Sequence, residues 1–253
     1  MLIAADIRND GVTIGFHSGA GWLKILELGT NHSADEYAFF ISGMLGTQAG
    51  KDSHAIVSSV VPALTEPITS AIESAFGIRA MLVGPGIKTG IKIRTEFPSE
   101  VGSDLVAMAA AAHALGKTPC VIIDCRALLT VSFVNRAGEF LGTSIYPGPE
   151  MSIQAMRHHA VQLPDVRLAV PKSAIGRNTV QAMQAGVYWG FSGAVSALCN
   201  AITNGFLHDE NEREQVKIIA SGNPKYRQFL PEHSEFCGSL ALDGLATIAQ
   251  LNI

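Results

Sequence analysis

The strongest constraint on this chain is that one short pattern occurs in it twice. Leu2-Ile3-Ala4-Ala5 is an apolar run that ends at Asp6, and after a polar turn come Val12-Thr13-Ile14-Gly15-Phe16 and then Trp22 to Leu28. The same order returns at Cys120-Val121-Ile122-Ile123, ending at Asp124, followed by Leu129 to Val134 and, after Arg136-Ala137-Gly138, by Phe140 to Ile145. Short runs of apolar and β-branched residues bounded by Gly, Asn and Asp read as strands joined by turns. The two aspartates stand 118 residues apart in a chain of 253, so the pattern divides the chain near its middle. Two copies of one strand-turn-strand-turn-strand unit imply a duplicated domain with a cleft between the halves, into which each strand-ending aspartate points.

Around these meanders the periodicity turns helical. Ser33-Ala34-Asp35-Glu36 has the form of a capping box, because a Ser oxygen and a Glu three residues on can satisfy each other's amides, and it opens a helix from Tyr37 to Met44. Ala55 to Val60 reads as a strand, Pro67 to Phe76 as a helix, Ala80 to Val83 as a strand closed by Gly84-Pro85-Gly86, and Ser103 to Leu115 as an Ala-rich helix with Asp104 in its first turn. In the second half, Met151 to Val161 and Val180 to Phe206 read as helices, the latter broken near Gly190 or Gly193. Val216 to Ala220 is a strand and Leu240 to Leu251 a helix. Alternating strands and helices in two copies make the fold α/β, with domains at 1–117 and 118–253.

Composition narrows the class. Apolar residues make up 47% and charged residues 16%, which excludes disorder, coiled coil and low complexity. A net charge of −4 without a long basic run argues against a grip on phosphate backbone, so nucleic acid is not expected as a partner. Cys120, Cys125, Cys199 and Cys237 lack paired metal-ligand spacing and read as reduced, small hydrophobes. No stretch approaches the ~18 consecutive apolar residues of a membrane span, and no basic start leads into an apolar core and a small-residue cleavage site. A cytoplasmic location with no membrane partner is the expectation.

Taken singly, Asp6 and Asp124 cap turns as readily as they bind ligands. As a repeated pair facing across a cleft they suit a hydrated cation that escorts nucleotide phosphates, because hard cations prefer oxygen ligands. Five strings then carry a resemblance: Ser58-Ser59-Val60-Val61-Pro62; Gly84-Pro85-Gly86-Ile87-Lys88-Thr89-Gly90-Ile91; Pro98-Ser99-Glu100-Val101-Gly102-Ser103-Asp104; Pro147-Gly148-Pro149-Glu150-Met151-Ser152; and Ile175-Gly176-Arg177-Asn178-Thr179 with Met183 and Gly186. In order and spacing they resemble the signatures of type III pantothenate kinases. That family belongs to the actin, sugar-kinase and heat-shock-chaperone superfamily, whose two ribonuclease-H-like halves flank a nucleotide cleft.

The resemblance implies transfer of the ATP γ-phosphoryl group to the hydroxyl of pantothenate, the first step of coenzyme A synthesis, in a homodimer that uses Mg and a monovalent cation, K or NH4. It implies Asp104 as general base, Asp6, Asn9 and Thr130 in the phosphate loops, Gly102 and Thr179 at pantothenate, and Asp124 at the monovalent cation. Such roles are chemically coherent, since a carboxylate can take the hydroxyl proton and positioning with charge stabilisation does most of the work in phosphoryl transfer.

The departures fall on the ligand positions. The family's first loop reads Asp, any residue, Gly, Asn, Thr; here it is Asp6-Ile7-Arg8-Asn9-Asp10, with arginine for glycine and aspartate for threonine. The second reads Asp, Phe, Gly, Thr, Ala, Thr, Thr; here it is Asp124-Cys125-Arg126-Ala127-Leu128-Leu129-Thr130, again with arginine for glycine, and with Ala127 for the ATP-binding threonine. Glycine in such loops lets the bare backbone approach phosphate and aim its amides at it, which a side chain obstructs. A family tyrosine is Thr95, the arginine after the catalytic aspartate is Leu105, and a glycine after Gly142 is Thr143.

Two readings therefore stand: a pantothenate kinase whose activity is weak or lost, needing ATP and cations only if active, and a non-catalytic paralogue that binds an anion or acts in regulation. Arg8 and Arg126 point to the second, because guanidinium forks bind carboxylate and phosphate. Each lies two residues after its aspartate, so Asp6 and Arg8 should share one side of the chain, as should Asp124 and Arg126, and Asp-Arg contacts or a bound anion should neutralise them. His158 and His159 are adjacent on a helix and do not share a face, which suits a solvated or structural role. Met183, Trp189 and Phe191 form a stripe for the core or a dimer interface.

Overall fold

A computed structural model describes residues 1–45, 52–207 and 209–253. The chain divides into two compact units, one made of Met1–Lys117, Gly138–Phe140 and Ser239–Ile253, the other of Thr118–Ala137 and Leu141–Gly238.

In the first unit, β1 (Leu2–Arg8), β2 (Gly11–His17), β3 (Trp22–Leu28), β4 (His54–Ser59) and β5 (Ala80–Leu82) form a sheet in the order β3-β2-β1-β4-β5. The first three are antiparallel neighbours, while β4 runs parallel to β1 and β5 parallel to β4. Every residue from Ile3 to Arg8 is buried, so both faces of β1 are covered. Side chains alternate along a strand and therefore sort into two cores. Ile3, Ala5 and Ile7 pack with Tyr37 and Ile41 of α1 (Ala34–Leu45) and with Ile68 and Ile72 of α2 (Pro62–Phe76). Ala4 on the opposite face packs with Ile56, with Ala107 and Ala110, and with Leu242, Leu245 and Ile248.

The capping box closes α1 as its spacing requires: Ser33 N donates to Glu36 Oε2 at 2.8 Å and Glu36 N to Ser33 Oγ at 3.3 Å. The Ser33 backbone N–H, and after it the Ser33 hydroxyl, which donates to Glu36 Oε2 at 3.0 Å, hold the Glu36 carboxyl below its usual range. Helix α2 begins at Pro62 rather than at Pro67, which lies inside it. Either proline suits a first turn, where its missing N–H costs nothing; burial of Ile68, Ala71 and Ile72 offsets the one ladder bond that Pro67 omits. After β6 (Lys92–Ile93) comes α3 (Ser103–Ala114), buried from Leu105 to Ala112. Its run of alanines lets Leu240–Gln250 approach so closely that a Cβ on Gly244 would overlap the Ala107 carbonyl. This helix, placed in the second half by chain order, thus completes the first unit's core.

The second unit repeats the plan. Its strands are β7 (Cys120–Cys125), β8 (Leu128–Val134), β9 (Glu139–Pro147, of which Glu139 and Phe140 belong to the first unit, where they pair with β6), β10 (Lys217–Gly222) and β11 (Glu235–Phe236), in the order β11-β10-β7-β8-β9. Strand β7 is antiparallel to β8 and parallel to β10, as β1 is to β2 and β4. The match extends to single residues. Asp6 sits between Thr13 and Ser58, and Asp124 between Thr130 and Ser221.

Helix α4 (Pro149–His159) precedes α5 (Thr179–Phe206), which buries Phe191, Val195 and Cys199 against the second sheet. Helix α5 runs unbroken for 28 residues through Gly190 and Gly193. An interior glycine costs only about 1 kcal/mol, less than its buried face recovers. The remaining helices are α6 (Glu210–Glu214) and α7 (Leu240–Gln250). No helix among the described residues is long and apolar enough to cross a membrane.

Gly244→Ala should lower stability by about 1–3 kcal/mol, since an added methyl meets rigid backbone. Gly43→Ala in α1, where nothing lies near the added carbon, should raise it by up to about 1 kcal/mol. Urea unfolding of the two variants beside the wild type measures both signs.

Candidate active site

Asp6 and Arg8 lie on the β1 face that Ala4 turns toward α3 and α7. Asp6 is 2% exposed and Arg8 5%, and charges at that depth must be paired. Arg8 Nε donates to Asp6 Oδ2 at 2.5 Å. Its Nη1 lies 3.6 Å from Asp104 Oδ2, and its Nη2 is 4.0 Å from Met108 Sδ. Asp104 and Met108 are four residues apart on α3 and so share a face. The guanidinium is held between two carboxylates and a thioether, while Asp6 Oδ1 is buried without a hydrogen-bond partner.

Asp104 is placed by its neighbours. A Cβ on Gly102, the residue that caps α3, would come 2.5 Å from Asp104 Oδ1, so glycine there leaves room for the carboxylate to fold back over the helix start. Ser103 Oγ accepts from Ser59 N at 3.0 Å and lies 2.9 Å from Ser58 Oγ, which pins the first turn of α3 to the end of β4. Met108 is the residue that sequence reasoning missed here, while Ser103 stood in the third string with no role assigned to it. The spacing of Met108 from Asp104, one helical turn, was the available signal.

The other first-unit positions are arranged less directly. Strand pairing continues to Arg8 opposite Gly11, so Asn9 and Asp10 form a tight two-residue turn with both side chains exposed. Leu105 is buried in the core, and Thr95 Oγ1 is buried without a hydrogen-bond partner. A cavity of about 760 Å³ is lined by Ser59, Pro85, Thr89, Glu100, Gly102 and Ser103. Its volume suits a small metabolite, and its walls are the first three of the five strings.

In the second unit, Asp124 is 4% exposed and stands on the corresponding strand. Arg126 Nε lies 3.6 Å from Asp124 Oδ1, an ion pair beyond hydrogen-bond distance, with the Arg126 side chain 19% exposed. Ala127 occupies the turn, and its carbonyl accepts from Gly148 N at 3.0 Å. A Cβ on Gly148 would meet the Arg126 and Ala127 carbonyls, and one on Gly222 would overlap the Cys125 carbonyl. Two glycines thus frame this loop, and Lys225 beside it pairs with Glu150 at 2.8 Å. Thr130 Oγ1 is buried without a hydrogen-bond partner. Thr179 is the exposed first residue of α5, whose start Asn178 caps by accepting from Gln181 N.

Neither Cys125 nor Cys199 is poised as a nucleophile. Burial pushes the Cys125 thiol far up, with Asp124 adding to it, and burial raises Cys199 to about 11, so both are protonated at neutral pH. Among the described residues no group of three or more His, Cys, Asp or Glu side chains forms a metal-binding cluster. His158 and His159 are both exposed at the end of α4.

Comparison with solved structures defines the class. A Campylobacter jejuni protein described as a Baf family transcriptional activator covers 99% of this chain and 98% of its own at 16% identity and a TM-score of 0.62. A Sinorhizobium meliloti protein described as a 2-dehydro-3-deoxygalactonokinase covers 99% and 98% at 12% identity and a TM-score of 0.61. The fold is the ribonuclease-H-like fold of actin and the sugar kinases, in two units. Sequence narrows this further: the profile described as type III pantothenate kinase matches residues 2–201. A type III pantothenate kinase of Dehalococcoides mccartyi is 36% identical over 99% of this chain and 96% of its own length, and one of Rhodococcus erythropolis is 33% identical over 100% and 96%. The chain belongs to the type III pantothenate kinase family.

The two arginines should differ in weight. Arg8→Met removes the hydrogen-bond donor of the buried Asp6 carboxylate and the cation beside the partly buried Asp104, and should cost about 3–5 kcal/mol. Arg126→Met removes a pair held only at 3.6 Å, with no hydrogen bond to Asp124, and should cost less than Arg8→Met. Denaturant midpoints of the two variants check the order.

Proposed function

We propose that this protein retains the family's substrates, ATP and pantothenate, but phosphorylates pantothenate slowly or not at all. The observation that supports this reading is the Arg8 guanidinium lying against both Asp6 and Asp104. In the family assignment Asp104 takes the proton from the attacking hydroxyl. Here one of its oxygens faces a cation instead of an open approach. Pantothenate would sit in the first unit's cavity, beside Gly102 and Ser103. Thr95 and Leu105 supply neither the aromatic face nor the cation of the usual site.

The metal does not fit as the residues stand. A magnesium ion needs near-octahedral oxygen ligands at about 2.1 Å, and the oxygen of Asp6 that faces Asp104 through Arg8 is already bonded to the guanidinium. At Asp124, the family's monovalent-cation carboxylate, Arg126 competes for the same charge. A non-catalytic reading draws on one specific feature: Arg126 Nε is buried without a hydrogen-bond partner, in a glycine-framed loop suited to an anion. The protein acts in the cytoplasm as a homodimer in this proposal. Trp189 is 54% exposed on α5, and the same helix lines a 230 Å³ hollow with Met183, Gly186 and Phe191, so α5 offers the apolar contact.

A coupled assay with ATP, pantothenate, Mg and K should give turnover far below the roughly 1–100 per second usual for kinases. A rate within that range, abolished by Asp104→Asn, would overturn the reading. Sedimentation at micromolar concentration should show a species of about twice 26.7 kDa, and Trp189→Glu should shift it to the monomer.

A further inference from the structure

Asp6, Arg8 and Asp104 together carry two negative charges and one positive. Two carboxylates flanking one point, dry on the Asp6 side, form the kind of hard-oxygen pair that takes a divalent cation. Here the positive charge belongs to the chain. Arg8 stays protonated at any working pH and lies two residues from Asp6 on a strand buried on both faces, so it cannot diffuse away. A tethered charge competes with a free ion at a high effective concentration.

We propose that Arg8 is a resident cation standing where a divalent metal ion would lie between Asp6 and Asp104, and that loss of its guanidinium converts the carboxylate pair into a divalent-cation site. The distances support the substitution: Nε meets Asp6 at 2.5 Å while Nη1 reaches toward Asp104 at 3.6 Å, so one planar group spans both. Asp6 Oδ1, buried without a hydrogen-bond partner, is a second oxygen ready for an ion. Met108 Sδ is a soft donor and adds little for Mg or Mn. The inference rests on the family reading for the expectation that a metal belongs near these carboxylates. Its readout involves neither pantothenate nor turnover.

The probe is Mn²⁺ alone, measured by calorimetry on the full chain as wild type, Arg8→Ala, Arg8→Lys and Arg8→Ala/Asp6→Asn. Arg8→Ala should bind one Mn²⁺ at least tenfold more tightly than the wild type, and the double variant should lose that site. Arg8→Lys, which keeps the charge, should behave as the wild type. Mn²⁺ should also raise the Tm of Arg8→Ala and leave that of the wild type unchanged. A folded Arg8→Ala that gains no Mn²⁺ affinity overturns the proposal. Should Arg8→Ala not fold, the wild type and Asp6→Asn decide: Mn²⁺ binding by the wild type that Asp6→Asn abolishes overturns it, and wild-type binding that is absent or indifferent to Asp6→Asn supports it. Ordinary pantothenate turnover by a wild type without this Mn²⁺ site would overturn the impaired-kinase reading and leave the resident cation standing.

Discussion

Much of the first unit follows from β1 being buried on both faces. A strand in that position must find apolar partners above and below, which α1 and α2 supply on one side and α3 with α7 on the other. It must also deal with any charge it carries, because water cannot reach it. With Asp6 and Arg8 on the same face, each is the nearest answer to the other, and the start of α3 provides the second carboxylate. Burial of an ion pair is a poor source of net stability, but it is demanding about geometry. The position of Asp104 and the packing of α3 are thereby tied to a side chain that belongs to the first strand.

The duplication was legible in the sequence because strand patterns survive on hydrophobic burial alone. Asp6 and Asp124 marked equivalent places, and their strand neighbours, Thr13 with Ser58 and Thr130 with Ser221, match residue for residue. The five strings led to the family because several of their glycines answer to backbone contacts. Gly148 lies on the Ala127 carbonyl, Gly176 lies against the start of α5, and Gly102 makes room for Asp104.

Other features were hidden for physical reasons. Glycines in α5 read as a break, yet they cost less than the buried face of a 28-residue helix recovers. Pro67 read as a helix start, although Pro62 serves equally well and lies earlier. The shared face of Asp6 and Arg8 followed from strand alternation, but the contact with Asp104 did not. That contact joins residues about a hundred positions apart, and no local pattern encodes it.

The closing of the first unit by α7 has a consequence for the order in which the chain is made. Residues 1–117 leave the ribosome long before Leu240–Gln250, and until those residues arrive Ala4, Ile56, Ala107 and Ala110 lack their partners Leu242, Leu245 and Ile248. One face of a finished sheet must wait through the synthesis of the whole second unit. Exposed apolar surface of that kind is what chaperones bind and what drives nascent chains to aggregate. The first unit is therefore discontinuous in time as well as in sequence, and a fragment ending at Lys117 would carry that uncovered face permanently.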